Sequence, residues 1–443
     1  MKDIAKNVDK YRDIIEKAEL YIWEHPETGF KEVKTTEYLK NAFEALGYDV
    51  TLADGITGFY TVLDTGREGP EVLMLAELDS VVCHTHEASN KETGAVHACG
   101  HHAQCAALVG IAAALKEEGA LDSLCGRIRL CAVPAEELLE LEYRSELKRQ
   151  GKIKYFGGKA EFLRRGYFDD VDIAIMVHTA ERARIDGGSV GCLAKNIIYK
   201  GKSAHAGGAP WLGVNALYAA NCGLNAINAI RETFREPDLI RVHPIMTSGG
   251  SIVNAIPEEA RIESYIRGAS FEAIAKANAK VDRALIGGAL SLGANVEIVD
   301  IPGYSPFKND ENMKEVAIEA AEIAGINDLF IMKGMITGST DMGDLSSVMP
   351  TVQPYSAGSR GAGHSKDFVI ADIEEACIKS AKWQLAMIEI LLSDGAKRAK
   401  KVIEEFKPIF ATNEEFFAYQ DSLWTTGDRI TYREDGTAEI KLK

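Results

Sequence analysis

The chain has 443 residues, of which 46% are hydrophobic and 26% charged, with a formal net charge of -16 at pH 7. That is enough apolar material to build two or three domain cores. The acidic balance repels phosphate backbones and argues against nucleic acid as a partner, and no apolar stretch is long enough to cross a bilayer.

Tyr11 to Glu24 has helical spacing, and Glu32 to Leu46 reads as a second amphipathic helix. Phe59 to Leu63 and Val72 to Leu75 read as short strands, the second buried. Ala103 to Glu118 is an alanine-rich helix with Gly119 as its stop. Strands follow at Ile128 to Val133 and Asp172 to Val177. This alternation predicts an α/β fold, a mostly parallel sheet with helices on both faces. The pattern changes near Gly187-Gly188. From there the order is strand (Val190 to Tyr199), helix (Val214 to Phe234), strands (Ile240 to Met246, Arg261 to Arg267), helix (Phe271 to Leu292) and strand (Val296 to Ile301). That β-α-β-β-α-β order predicts a ferredoxin-like insert. The α/β pattern resumes with the helix Glu311 to Ala324, a strand around Thr351 to Pro354 and the helix Ile373 to Leu392. The expected boundaries are 1–188 and 304–443 for the sheet domain and 189–303 for the insert. The tail after Ser393 suggests no function.

The start, MKDIAKNVDKYRDIIEKAEL, lacks the apolar run of a signal peptide, and the eight cysteines are scattered. They read as reduced thiols, some available to metal, in a cytoplasmic protein.

Chemistry gathers at several strand ends and loops. His97-Ala-Cys99-Gly-His101-His102 precedes a helix, and Gly100 permits a bend that lets Cys99 and His101 face one ion. Pro134-Ala-Glu136-Glu137 follows a strand; two adjacent carboxylates repel unless a cation intervenes, which leaves one free as a base. His178 ends the next strand, and His364 sits in a glycine-rich loop. Asp79 ends the strand Val72 to Leu75 and offers a metal-type or orienting group. Each alone has an ordinary reading, as a buried thiol, a solvated acidic loop or a structural histidine. Their coincidence carries more weight. His84 and His86 read as a solvated loop, His25 as a helix cap, and His243 as part of the insert's sheet.

Together these stretches resemble the aminoacylase and carboxypeptidase G family of dinuclear metallopeptidases, in the branch with hippurate, auxin-conjugate and aminobenzoyl-glutamate hydrolases. His97-Ala-Cys-Gly-His101 and Pro134-Ala-Glu-Glu137 match its H-A-C-G-H and P-A-E-E motifs, and His364-Ser365 its C-terminal H-S. Gly201-Lys-Ser-Ala-His205-Ala, Gly249 to Pro257 and Arg267 resemble its lid, and Ser339 to Asp344 a further run. The resemblance implies Cys99, His101, Glu137, His178 and His364 as ligands of two divalent ions, zinc or manganese, with Cys99 bridging. It implies Glu136 as general base, Asp79 as an orienting group, and a lid that forms a homodimer. His205 would stabilise the transition state, and Arg267 or Asn254 would bind a substrate carboxylate. The expected reaction is hydrolysis of amide bonds in N-acyl amino acids, dipeptides or amino-acid conjugates. The family's Asp or Asn after the motif's second His is His102 here. Its D-x-D-A-L-P is reduced to Glu77-Leu-Asp-Ser-Val81, and the glycines after P-A-E-E give way to a segment from Leu138 to Gly158. Two other classes stand beside this one. A thiol enzyme using Cys99 would not need Glu137 or His364, and an inactive metal-binding relative would not need Glu136.

Overall fold

Helix α1 (Arg12–Glu24) forms where apolar residues recur every three to four positions, and it buries Ile15, Ala18 and Ile22 on one face. The computed structural model describes residues 4–442. His25 ends α1: its amide donates to Ile22 O, and its ring Nδ1 lies 2.7 Å from Tyr21 O. Helix α2 (Val33–Ala45) buries Leu39 and Phe43. After the hairpin of β1 (Thr51–Leu52) and β2 (Phe59–Asp64) comes β3 (Glu71–Glu77), whose seven residues are all buried. Successive side chains of a strand point to opposite faces, so β3 is covered on both. Helix α3 (His101–Leu115) is buried throughout. Its small residues admit close neighbours: a Cβ on Gly110 would lie 2.6 Å from Ile15 Cδ1 of α1.

Strand β4 (Arg127–Val133) pairs parallel to β3, which pairs parallel to β5 (Ile173–Ile175), and β5 pairs parallel to the strand Thr351–Val352. β2 joins antiparallel to β4 and β1 to β2. The result is a six-stranded, mostly parallel sheet in a mixed α/β unit. Between β4 and β5 the chain forms two helices, α4 (Leu141–Arg149) and α5 (Gly158–Arg164), that periodicity did not suggest. His86 is also buried, with Nε2 2.8 Å from Phe368 O, which corrects the solvated-loop reading.

The chain divides into two compact units, the first ending at Gly188 and resuming at Phe307–Met335 and Thr340–Asn413. The second contains Ser189–Pro306, Ile336–Ser339 and the chain from Glu414 onward. Its core is a sheet of β6 (Gly191–Lys200), β7 (Arg241–Ser248), β8 (Glu259–Gly268) and β9 (Asn295–Pro302), in spatial order β7-β8-β6-β9, with every pairing antiparallel. Helix α6 (Ala216–Ile230) follows β6, and α7 (Phe271–Ser291) links β8 to β9. Asn215 and Ser270 cap the two helices, each accepting from the amide three residues on. A Cβ on Gly288 of α7 would lie 2.6 Å from Gly223 Cα of α6, so the two helices meet backbone to backbone.

The tail does not belong wholly to the sheet domain, as the sequence boundaries had it. Ile430 enters the second unit's core, Asp300 N donates to Thr425 O (2.8 Å), and Arg429 N donates to Val296 O (2.9 Å). The tail thus satisfies the outer edge of β9, whereas β7, at the other end of the sheet, has no strand beyond it among the described residues.

Candidate metal centre

The carboxyl ends of parallel strands are where α/β folds place ligands, and the first unit gathers its polar groups there. Glu77 ends β3, Pro134 to Glu137 follows β4, and His178 lies just past β5. Cys99 and His101 flank Gly100, whose φ of +88° and contact with Thr179 leave no room for a side chain. His101 Nδ1 is 2.8 Å from Asp79 O, which turns Nε2 inward. That Nε2 is fully buried and makes no hydrogen bond. Asp79 also holds the acidic loop: Glu136 N donates to its Oδ1 (3.1 Å) and Glu137 N to its Oδ2 (2.9 Å).

The five predicted ligands converge. Ligand atoms of Cys99, His101 and His178 lie within 4.8 Å of one another, and so do those of Cys99, Glu137 and His364. Cys99 is common to both groups, and its Sγ is 3.5 Å from His178 Nε2. His364 Nε2 is 2.9 Å from Glu137 Oε1, on a residue held at φ 62° by its amide's bond to Ala98 O. Glu136 is in neither group; its Oε2 is 4.0 Å from His101 Nε2.

The charges suit cation binding. Burial pushes the Cys99 thiol up, but His101 and His178 outweigh it and bring it down to about 6. Burial likewise raises Glu137, and His364 outweighs it, holding the carboxyl at about 2. Glu136, by contrast, is pushed well above the carboxylate range by burial, Glu77 and Glu137. Thiolate, imidazole and carboxylate in two sets of three fit two borderline divalent ions.

The sequence reading missed a buried network beside this centre. Lys159 Nζ donates to Glu77 Oε1 (2.6 Å) and pairs with Asp341; all three side chains are inaccessible to solvent. Gln104 Nε2 donates to Glu77 Oε2 at 2.8 Å, and the same oxygen is 3.2 Å from His101 Nε2. Glu77, His101 and Glu136 form a third close group. The one signal in sequence was a charged residue ending an otherwise apolar strand.

In the second unit, His205 and Asn254 are neighbours: Ala206 N donates to Asn254 O (2.9 Å), and His205 bridges to Ala255. Gly207 N and Gly208 N both donate to His205 Nδ1, at 3.2 and 2.8 Å. An accepting Nδ1 puts the proton on Nε2. Arg267 is not with them. It pairs with Cys192 and Arg241 near the far end of β8, eight residues beyond Glu259, which at ~3.3 Å per residue is roughly 25 Å away.

Residues 73–388 match the model of peptidase family M20/M25/M40. The chain is 26% identical to mouse (Mus musculus) Xaa-Arg dipeptidase, over 91% of each chain. It is 28% identical to N-acetyl-L-cysteine deacetylase of Bacillus subtilis, over 69% of this chain and 71% of that one. It is 26% identical to indole-3-acetyl-aspartic acid hydrolase of Enterobacter agglomerans, over 60% and 62%. Among solved structures, it superposes on a dinuclear metal-binding M20 peptidase from Bacillus subtilis with a TM-score of 0.64 at 21% identity, over 87% of this chain and 99% of that one. With a family match over most of its length and the motif residues gathered at one sheet end, the chain belongs to the peptidase family M20/M25/M40.

Proposed function

We propose that this protein hydrolyses the amide bond of N-acyl amino acids, dipeptides or amino-acid conjugates, at a centre that takes two divalent ions. The observation that carries this is two ligand groups sharing one thiolate, with an unshared carboxylate, Glu136, beside them. Cys99, His101 and His178 would hold one ion, and Cys99, Glu137 and His364 the other. Bound there, zinc or manganese would supply an acidified water and an electrophile for the carbonyl. Glu136 Oε2 takes the proton and passes it to the leaving amine. Asp79 fixes His101 and the backbone of the Glu136–Glu137 loop. His205, whose Nδ1 accepts two backbone amides and so leaves the proton on Nε2, would be a donor for the carbonyl oxygen, and Asn254 or Arg267 would meet the substrate's carboxylate. The relatives named above as dipeptidase, deacetylase and indole-3-acetyl-aspartic acid hydrolase support substrates with an amide next to a carboxylate.

The second unit would serve as lid and as dimer interface. Its β7 edge is unpaired among the described residues, and Ile245, Trp211, Tyr218, Ile252 and Val253 are exposed on the same unit. Eight free thiols agree with a reducing, cytoplasmic setting. No helix among the described residues is long and apolar enough to cross a membrane.

The test is a panel of N-acyl amino acids, dipeptides and amino-acid conjugates, assayed before and after chelation. Activity is expected to vanish with the metal and return with zinc or manganese. Full turnover by protein shown metal-free by elemental analysis would refute the proposal.

A further inference from the structure

The segment from Leu138 to Gly158 replaces the glycines that follow P-A-E-E in the family it resembles, and the structure shows what it does to the loop before it. Two non-glycine residues bracket that loop in left-handed backbone, Ala135 at φ 56° and Glu140 at φ 50°. Such conformations persist only where the surroundings over-determine them. Here five backbone atoms are held from outside. Ala135 N donates to Glu32 Oε1 (2.8 Å), and Gly158 N donates to Ala135 O (3.2 Å). Glu136 N and Glu137 N donate to Asp79. Glu137 O accepts from Arg144 Nη2, while Nη1 of the same guanidinium donates to Phe156 O.

Arg144 is 1% exposed. It stands on α4, so one side chain ties the carbonyl of Glu137 to the far end of the segment. The packing leaves no slack. A Cβ on Gly29 would overlap Arg144 Nη2 and lie 2.9 Å from Ala135 Cβ, and a Cβ on Gly158 would overlap Pro134 O. A guanidinium is suited to this task because its fork reaches two carbonyls at once.

We infer that the Leu138–Gly158 segment is a clamp on the catalytic loop, with Arg144 as its positioning residue. It fixes Glu137 as a ligand and, through the same backbone, Glu136 as a base. This rests on the two-ion reading proposed above. Because Glu137 belongs to only one ligand group, the clamp acts on one ion: Arg144 supports the Cys99–Glu137–His364 group and not Cys99–His101–His178.

The experiment is zinc titration of stripped, full-length protein against a competing chelator, with kcat and KM measured after loading. Wild type is expected to bind two ions. Arg144→Met should keep one at wild-type affinity and weaken the other about 10–100-fold, the range seen when the support of a ligand is removed. Its kcat should fall with KM little changed. Arg144→Lys, with one donor group in place of the fork, should be intermediate. Gly29→Ala, whose methyl would press on the guanidinium and on Ala135 of the loop it holds, should weaken the same ion as Arg144→Met. Two ions at wild-type affinity with wild-type kcat in both variants would overturn the clamp. If neither folds, Arg144→Lys decides: loss confined to one ion supports it, whereas no loss, or equal loss of both, overturns it. A wild-type protein that takes up fewer than two ions sinks the two-ion reading, and the clamp with it.

Discussion

Glu136 and Glu137 are adjacent, yet their surroundings drive them apart. Glu137 faces His364, which holds its carboxyl at about 2, whereas burial, Glu77 and Glu137 push Glu136 well above the carboxylate range and raise its affinity for a proton. Neighbouring carboxylates with separated proton affinities divide the labour of ligand and base. Glu136→Gln should therefore lower the rate roughly 10²–10⁴-fold and leave metal content intact, while Glu137→Gln should lose an ion. Elemental analysis beside kinetics checks both, and exchanged phenotypes would reverse the assignment. Glu32 makes a different prediction. Burial first, and then Asp79, raise its carboxyl to about 8. The folded protein then binds a proton between the unfolded value of 4.5 and about 8 that the unfolded chain has released. Stability from this group is whole below that window and declines as pH rises through it, by at most about 1.4 kcal/mol per pH unit. Glu32→Gln keeps an acceptor for Ala135 N and removes the titration. Thermal melts from pH 5 to 8 should show wild type losing stability relative to the variant.

At the scale of elements, periodicity located what the core dictates. The strands observed at Glu71–Glu77, Arg127–Val133 and Glu259–Gly268 cover those predicted, because each is an apolar or alternating run bounded by polar residues. It missed α4 and α5. α4 reads LEYRSELKR, whose mostly polar sequence hides that Arg144 and Leu141 face inward. It joined the turn Glu374–Ile378 to the helix Lys379–Leu392, since a single π-helical turn of five residues is too short to break the apolar pattern. The proposed ligands were legible because their motifs are short and local. The Glu77–Lys159–Asp341 network was not, because its members are 82 and 182 residues apart, and only the fold unites them. Close helix contact was equally invisible. Gly288 lies in the last turn of α7, where alanine would be the better helix former, yet a methyl there meets the backbone of Gly223. Gly288→Ala should cost about 1–3 kcal/mol through overpacking. A gain in stability on chemical denaturation would show that α6 and α7 can part at no cost.

At the scale of the whole molecule, the two units have separate cores, and the proposed ligands all lie in the first. Assembly is expected to depend on the second. Ile245→Lys on the open β7 edge should convert a dimer to a monomer in sedimentation or light scattering, since an inserted lysine is a common protection of a bare strand edge. An unchanged mass would place the interface elsewhere. The tail bears on how such assembly stops. A sheet with two bare edges can recruit copies at both sides and grow into a fibre. Here Thr425 to Arg429 occupies the β9 side, which leaves β7 as the open edge of this sheet among the described residues. If the proposed dimer pairs its copies there, neither sheet would keep an open edge, and the cap on the other side would be a segment outside the matched family region.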